Sequence, residues 1–521
     1  MNERRRAALV FLALAAIAAA FRFPQLALRP MHADEAVHAD KLGVLLEQGR
    51  YEYSTADYHG PTLDYLTLAA VRAQGIKRYA DLNEAALRAV PAAIGVLLVA
   101  AHFWLIPYLG FAASACAALF TAVSPAMVYY SRYYIHETLL VFFTFCAMLA
   151  LFQYFRRPSA AWALAAGALF GLMYATKETW IIAAVCLVCG GAEPLVRGRP
   201  PGRSADVVAA TAGRGRPVAQ RAPPWGSAPP TARHVLLAAL SFVLVVAILL
   251  SSFLTHPRGI VDSVLAYRTY FARGVGVNTV HVHPWYFYFA CLRGEAPIFV
   301  LAVVGAIASS TPRFLKIYTG LMVLIYCAIP YKVPWNVLTF WHGAILLAGM
   351  GVAWIAQHMP KPMAVALVAI AAAQLGLQAR AYSFQYASDP RNPWVYAHTG
   401  TDVFVIVKQV EALAAVHPAG RAMPIQIITR ENLWPLPWYF RRYSGVRWWN
   451  GVSDAAPLAP VILATPEMEP ALLHRIYEVP PPGQREMYVN MFDRYVELRP
   501  RVEVRGYAAK SLWDELPELP R

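Results

Sequence analysis

The chain has 521 residues, of which 58% are hydrophobic and only 15% charged, and its mean hydropathy is +0.41. That balance excludes a soluble protein of this length and marks a chain that crosses a lipid bilayer many times. The net charge of +15 is no nucleic-acid footprint, because the basic residues fall in short clusters between apolar runs, as topology signals do.

Arg4-Arg5-Arg6 precedes an apolar run over about 7–28. Ala18-Ala19-Ala20 resembles a signal-peptide cleavage region. The stronger reading is a first transmembrane helix with its amino end held in the cytoplasm by the arginines. Residues 30–84 then form a long polar external segment, the first external loop, carrying Asp34-Glu35 and Tyr58-His59-Gly60-Pro61. Within it, Leu63 to Val71 is amphipathic and too short to span about 30 Å of hydrocarbon, so it is expected along the interface.

Further spans are expected at 86–107, 111–130, 135–155, 160–176, 178–194, 234–254, 285–307, 314–330, 336–357 and 361–379. With the first, this gives about eleven helices in a domain over 1–379. Residues 196–233 are rich in Pro, Arg, Gly and Ala, with Asp206 the only acid. Such a composition builds no core and reads as a flexible cytoplasmic loop. The segment 255–284 is polar and aromatic, and external by count. The six cysteines lie in or beside apolar runs. Cys186-Leu187-Val188-Cys189 has zinc-like spacing but no second ligand pair, and reads as helix packing.

From about 380 the pattern changes. Val403 to Val416 reads as an amphipathic helix, and Pro424 to Thr429 and Pro460 to Thr465 as short buried strands. Residues 380–521 are therefore expected to form a small α/β domain outside the membrane. Its aromatic cluster Trp434 to Phe440 fits core packing, an interface anchor or a sugar-stacking surface. The fold class is mainly α: a polytopic membrane protein with a small extracytoplasmic C-terminal domain.

Polar groups in apolar surroundings are costly and usually face a cavity or an interface. Here they are Asp34-Glu35, Arg132 with His136 and Glu137, Lys177-Glu178, His281 with His283, and Lys332 with Trp335-Asn336. Counted from a cytoplasmic start, every one falls on the outer face. A base, a phosphate clamp and a positioned acceptor suffice to move a sugar off a phosphate. Asp34 or Glu35 can be the base, and Lys177, Arg132 and Lys332 the clamp. His59, His136, Glu178, His281, His283, Trp335 and Asn336 are candidate substrate contacts. His281-Val282-His283 could also bind a divalent metal ion with a third ligand such as Glu35; interface packing is the competing reading.

These motifs resemble the protein-mannosyltransferase-like superfamily of membrane glycosyltransferases, the GT-C fold. Within it the chain looks like the flippase activity-associated proteins of archaea and bacteria. The residues that carry the resemblance are His32-Ala33-Asp34-Glu35-Ala36, Tyr58-His59-Gly60-Pro61, Ser131 to Glu137, Thr176-Lys177-Glu178-Thr179, Lys332 to Asn336 and Glu431 to Pro435. The resemblance implies that Asp34 is the catalytic base, Glu137 a second acidic residue, and Lys177 a contact to donor phosphate. It implies an inverting transfer from a polyprenyl-phosphate-linked sugar to a lipid, glycan or protein acceptor, outside the plasma membrane. The alternative is a flippase or flippase-associated factor for lipid-linked sugars. A flippase needs a polar path open to both sides, whereas these polar groups gather on one.

Overall fold

The computed structural model describes residues 3–56, 59–196, 230–276, 279–454 and 456–517. Tyr58 and residues 197–229, nearly all of the arginine-rich loop, lie outside the described residues. The chain divides into two compact units.

The first unit comprises Met1–Leu26, Gln48–Ala70 and Arg88–Gln385. All eleven apolar segments are helical at the expected places. Six helices among the described residues are long and apolar enough to cross a membrane, or seven if the bent pair Phe111–Val123 and Pro125–Ser131 is one span. The sequence count of eleven spans is therefore not met on length and composition. Ala160–Tyr174 has 15 residues, which at 1.5 Å each reaches only about 22 Å. The first helix is Glu3–Arg22, not a run to 28.

The expected single span over 111–130 is broken at Ser124, where the axis turns by 56°. Pro125 has no N–H to continue the first helix, and the Ser124 hydroxyl accepts from the Met127 N–H to start the second. Glu137–Arg156 and Pro334–His358 are largely enclosed by protein, whereas Ala232–Leu250 is 11% buried. That helix packs on Ala160–Tyr174 through small residues: a Cβ at Gly167 would stand 2.0 Å from the Ala238 carbonyl oxygen. The polar, aromatic segment 255–284 contains the helix Arg258–Gly274. Ser252, Phe253 and Leu254, all left-handed at φ 49°, 55° and 69°, make the turn that precedes it.

The second unit comprises Ala27–Glu47, Val71–Leu87 and Tyr386–Arg521. The expected helix is Asp402–Val416, and the expected strands are Ile425–Ile428 and Val461–Ala464, both buried throughout. They pair in parallel at the centre of a five-stranded sheet. Its order is Val446–Trp449, Ile425–Ile428, Val461–Ala464, Arg505–Ala509, Tyr488–Asn490. The last two strands run antiparallel to their neighbours. The aromatic cluster is core: Leu436, Trp438 and Phe440 are buried, and the Trp438 Nε1–H donates to Glu84 at 2.8 Å.

Leu463 lies opposite Ile427 and is fully buried. Leu463→Ala should leave a cavity in this sheet and cost about 2–5 kcal/mol. Limited proteolysis after Tyr386 against temperature checks this; unchanged resistance would contradict the core assignment.

Candidate active site

Three sequence motifs meet in the first unit. The link between Ala160–Tyr174 and Trp180–Val196 carries Thr176, Lys177 and Glu178, all buried. The chain at 59–62 lies against it: Gly60 N–H donates to the Thr176 carbonyl at 3.1 Å, and Thr62 N–H to the Ala175 carbonyl at 3.2 Å. Only glycine fits at position 60, since a Cβ there would stand 2.1 Å from the Ala175 carbonyl oxygen.

Glu178 organises this contact. Its carboxylate accepts from the Tyr53 hydroxyl at 2.7 Å, the His59 N–H at 3.0 Å and the His59 ring Nδ1 at 2.8 Å. His59 has φ +73°, a left-handed conformation that a non-glycine residue keeps only when its surroundings over-determine it. Both of its bonds to one carboxylate do that. Burial pushes the Glu178 carboxyl up, but the charge and hydrogen bond of His59 and the bond from Tyr53 outweigh it and hold it down at about 2.

The His136 ring stands 5.1 Å from that of His59, and its Nε2 is 3.0 Å from the Gly60 carbonyl oxygen. Glu137 opens the next helix and forms a buried ion pair with Lys177. His59, His136, Glu137, Lys177 and Glu178 are thus brought together.

A second group forms where residues 281–283 run beside 330–332. His283 N–H donates to Pro330, Lys332 N–H to His281, and Val282 bridges Tyr331. Lys332 is buried, and its ammonium donates to the carbonyls of His283, at 3.1 Å, and Ile329. Burial pulls its pKa below the ordinary lysine value. The His283 ring stacks on Phe287 at 4.2 Å and His281 meets Tyr331 edge-on. Trp335 and Asn336 follow in a short 3₁₀ turn. Among the described residues no three His, Cys, Asp or Glu side chains gather as metal ligands would.

Arg132 does not join either group. Its guanidinium donates to the carbonyls of Phe21, Arg22, Pro24 and Gln25 at 2.7–3.3 Å and lies over the Phe384 ring. It closes the open end of the first helix, whose last carbonyls have no partner within the helix. Sequence reasoning also passed over Glu295, a fully buried carboxylate in the span Phe287–Ile307. It accepts from the Ser124 hydroxyl, the Ala126 N–H and the Trp341 indole N–H, at the bend of the broken helix. The signal was present: an acid inside an apolar run is rare enough to be singled out.

In the second unit, Asp34 and Glu35 are not in a loop. They stand in the first turn of the helix Ala33–Gln48. His32 precedes that helix, and its Nδ1 accepts from the Asp34 N–H at 3.1 Å while Glu35 reaches back to the His32 N–H at 2.9 Å. This is a capping box with histidine in the place of serine. Because Nδ1 accepts, the ring proton is on Nε2, which donates to the Tyr396 carbonyl at 3.1 Å. Glu35 is fully buried and also accepts from Arg29 at 3.3 Å, whereas the Asp34 side chain is 49% exposed. The two carboxylates therefore differ: Glu35 is buried and committed to structure, and the Asp34 side chain is half exposed.

Residues 66–195 match the family model described as dolichyl-phosphate-mannose-protein mannosyltransferase. The chain is similar to ArnT from Cupriavidus metallidurans bound to undecaprenyl phosphate, at 13% identity and a TM-score of 0.63, over 96% of this chain and 97% of that one. The Archaeoglobus fulgidus oligosaccharyltransferase matches at 13% identity and a TM-score of 0.52, over 85% of this chain and 64% of that one. A mycobacterial arabinofuranosyltransferase, AftD, matches at 15% and 0.51, over 98% and 40%. No curated protein sequence is significantly similar to the chain. The fold is the one the motifs pointed to, GT-C, with mostly helical spans and a small C-terminal sheet region.

Since the folded Glu178 carboxyl sits near 2 against an ordinary 4.5, its stabilisation is complete above about pH 4.5 and drains away as the pH falls toward 2. Glu178→Gln should lower the melting temperature at pH 7 and flatten its fall between pH 4.5 and 2. Thermal melts in detergent across that range check this; parallel wild-type and variant curves would refute it.

Proposed function

We propose, on the premise of the GT-C fold, that this protein is an inverting glycosyltransferase. It moves a sugar from a polyprenyl-phosphate carrier to a lipid, glycan or protein acceptor on the outer face of the plasma membrane. The chain is multi-pass, with its amino end in the cytoplasm and residues 380–521 outside. The observation that carries this reading is the likeness, over nearly the whole length of both chains, to a structure holding undecaprenyl phosphate. The division of labour between Asp34 and Glu35 is consistent with it.

In the proposed step Asp34 takes the proton of the acceptor hydroxyl. The acceptor oxygen bonds to the anomeric carbon as the bond from that carbon to the phosphate oxygen breaks. Polyprenyl phosphate leaves with the bonding electrons, so no strong general acid is required. Lys332 is the best-suited phosphate ligand, because it has carbonyl partners and a third N–H to give. Lys177 is the second candidate, once its pairing with Glu137 is exchanged for phosphate. Arg132, taken up by four carbonyls, acts at a distance by holding the first helix. His59, His136 and Glu178 act by shaping the turn that carries Lys177.

The test is release of undecaprenyl phosphate from undecaprenyl-phosphate-linked [14C]mannose or arabinofuranose, by protein in vesicles supplied with a cell-envelope lipid and glycan extract. Asp34→Asn should lower turnover by about 10²–10⁴-fold with the donor KM little changed, and Lys332→Ala should raise that KM. Unchanged transfer by Asp34→Asn would overturn the base assignment. Translocation of the labelled lipid without transfer by the wild type would favour the flippase reading.

A further inference from the structure

Of the described helices, Arg258–Gly274 is the one whose surroundings the site leaves unexplained. It divides into three faces. One face packs on protein: Ser263 Oγ is 3.1 Å from the Tyr174 hydroxyl, and the Tyr267 hydroxyl accepts from the Trp180 indole at 2.8 Å and donates to the Glu178 carbonyl at 3.4 Å. A second face is apolar and open. Val261, Val264, Leu265 and Phe271 recur at helical spacing and are each more than half exposed. Between these two runs a polar flank of Arg258, Asp262 and Thr269, with Arg258 and Asp262 forming an ion pair at 3.5 Å.

A helix touching protein and water alone has two faces, with its apolar side inward. Here the side chains that bond to protein are polar, the buried positions are only the small Gly259, Ser263 and Ala266, and the large apolar side chains Val261, Val264, Leu265 and Phe271 point away. That inversion needs a third medium. We infer that Arg258–Gly274 lies flat in the membrane interface, with Val261, Val264, Leu265 and Phe271 seated among the acyl chains of acidic phospholipid. The charge agrees: Arg268, exposed within the apolar face, has the reach to snorkel to headgroup phosphates. So does the surface on either side. Phe253 and Leu254 before the helix and Trp285 and Tyr286 after it are also more than half exposed, and exposed Trp and Tyr are the residues of a membrane interface. The left-handed turn at 252–254 ends the helix Ala232–Leu250 and starts the chain in a new direction. The bilayer then presses the Tyr267 face onto the Glu178 carbonyl, which makes the membrane part of what closes the proposed site. This last consequence rests on the glycosyltransferase reading; the interfacial placement does not.

The experiment uses the full chain in vesicles of phosphatidylethanolamine and phosphatidylglycerol, 3:1, with its six native cysteines replaced by alanine. An environment-sensitive fluorophore is attached at Leu265→Cys, Phe271→Cys or Thr269→Cys. Lipid brominated at acyl carbons 6 and 7 should dim the labels at 265 and 271 by about two-fold or more, while aqueous iodide quenches the label at 269. Iodide quenching all three alike would overturn the inference. So would labels at 265 and 271 shielded from both quenchers, which points to a second copy or another protein on this face. If the alanine background does not fold, labelling in the native background decides. An impermeant maleimide, read by mass, should reach Thr269→Cys and not Leu265→Cys; equal labelling overturns the placement. Since these readouts need no turnover, they stand or fall independently of the sugar-transfer reading.

Discussion

The first unit depends on the carboxylate of Glu178. Buried charge is tolerable only where donors replace the lost water. Glu178 finds three donors, and two belong to one residue, His59. A single side chain thereby selects a left-handed backbone at position 59 and draws residues 59–62 against 175–178. It also holds Lys177 and, through the neighbouring imidazole, His136 and Glu137 in one place. Remove that acceptor and the peptide at 59 has no reason to keep its conformation. The polar core of the bundle is thus an outcome of the rule that governs any low-dielectric interior, applied at one turn.

The same rule explains why the basic residues serve different ends. Arg22 is fully buried and gives two hydrogen bonds of 2.9 Å to the carbonyls of Thr121 and Ala122, with Gly95 leaving it room. Arg132 closes the end of the first helix. Both use the flat, many-donor guanidinium to satisfy backbone oxygens that no water reaches. Lysine is a point donor and is used otherwise: Lys177 in an ion pair, Lys332 on two carbonyls. Cation count alone would have assigned all of them to one ligand.

Much of this was legible in residues. The apolar runs, the two central strands and the helix Asp402–Val416 follow from periodicity and composition, because those patterns state directly which faces must be buried. The gathering of the motifs at 59, 136 and 177 was legible only as polar residues that apolar surroundings would have to account for. Sequence could not separate Arg132 from Lys332, since the difference lies in which carbonyls each reaches. It placed Asp34-Glu35 in a loop because histidine is an unusual cap, and the Glu35 back-bond is invisible until the helix start is known. It missed Arg258–Gly274 because an inverted amphipathic helix has the composition of a polar, aromatic loop. The C-terminal sheet was read as two strands of its five: the edge strands are short and partly exposed, and the interior strand Arg505–Ala509, with Gly506 and two alanines, lacks the β-branched run that marks a buried strand.

The close approach at Gly167 carries a different kind of consequence. With a carbonyl oxygen of one helix standing where a side chain of the other would begin, Ala160–Tyr174 and Ala232–Leu250 adhere through main chain as well as through side chains such as Tyr174 and Phe242, whose rings meet at 5.9 Å. Their register is therefore keyed to a few small residues, and the adhesion is a property of the helices themselves.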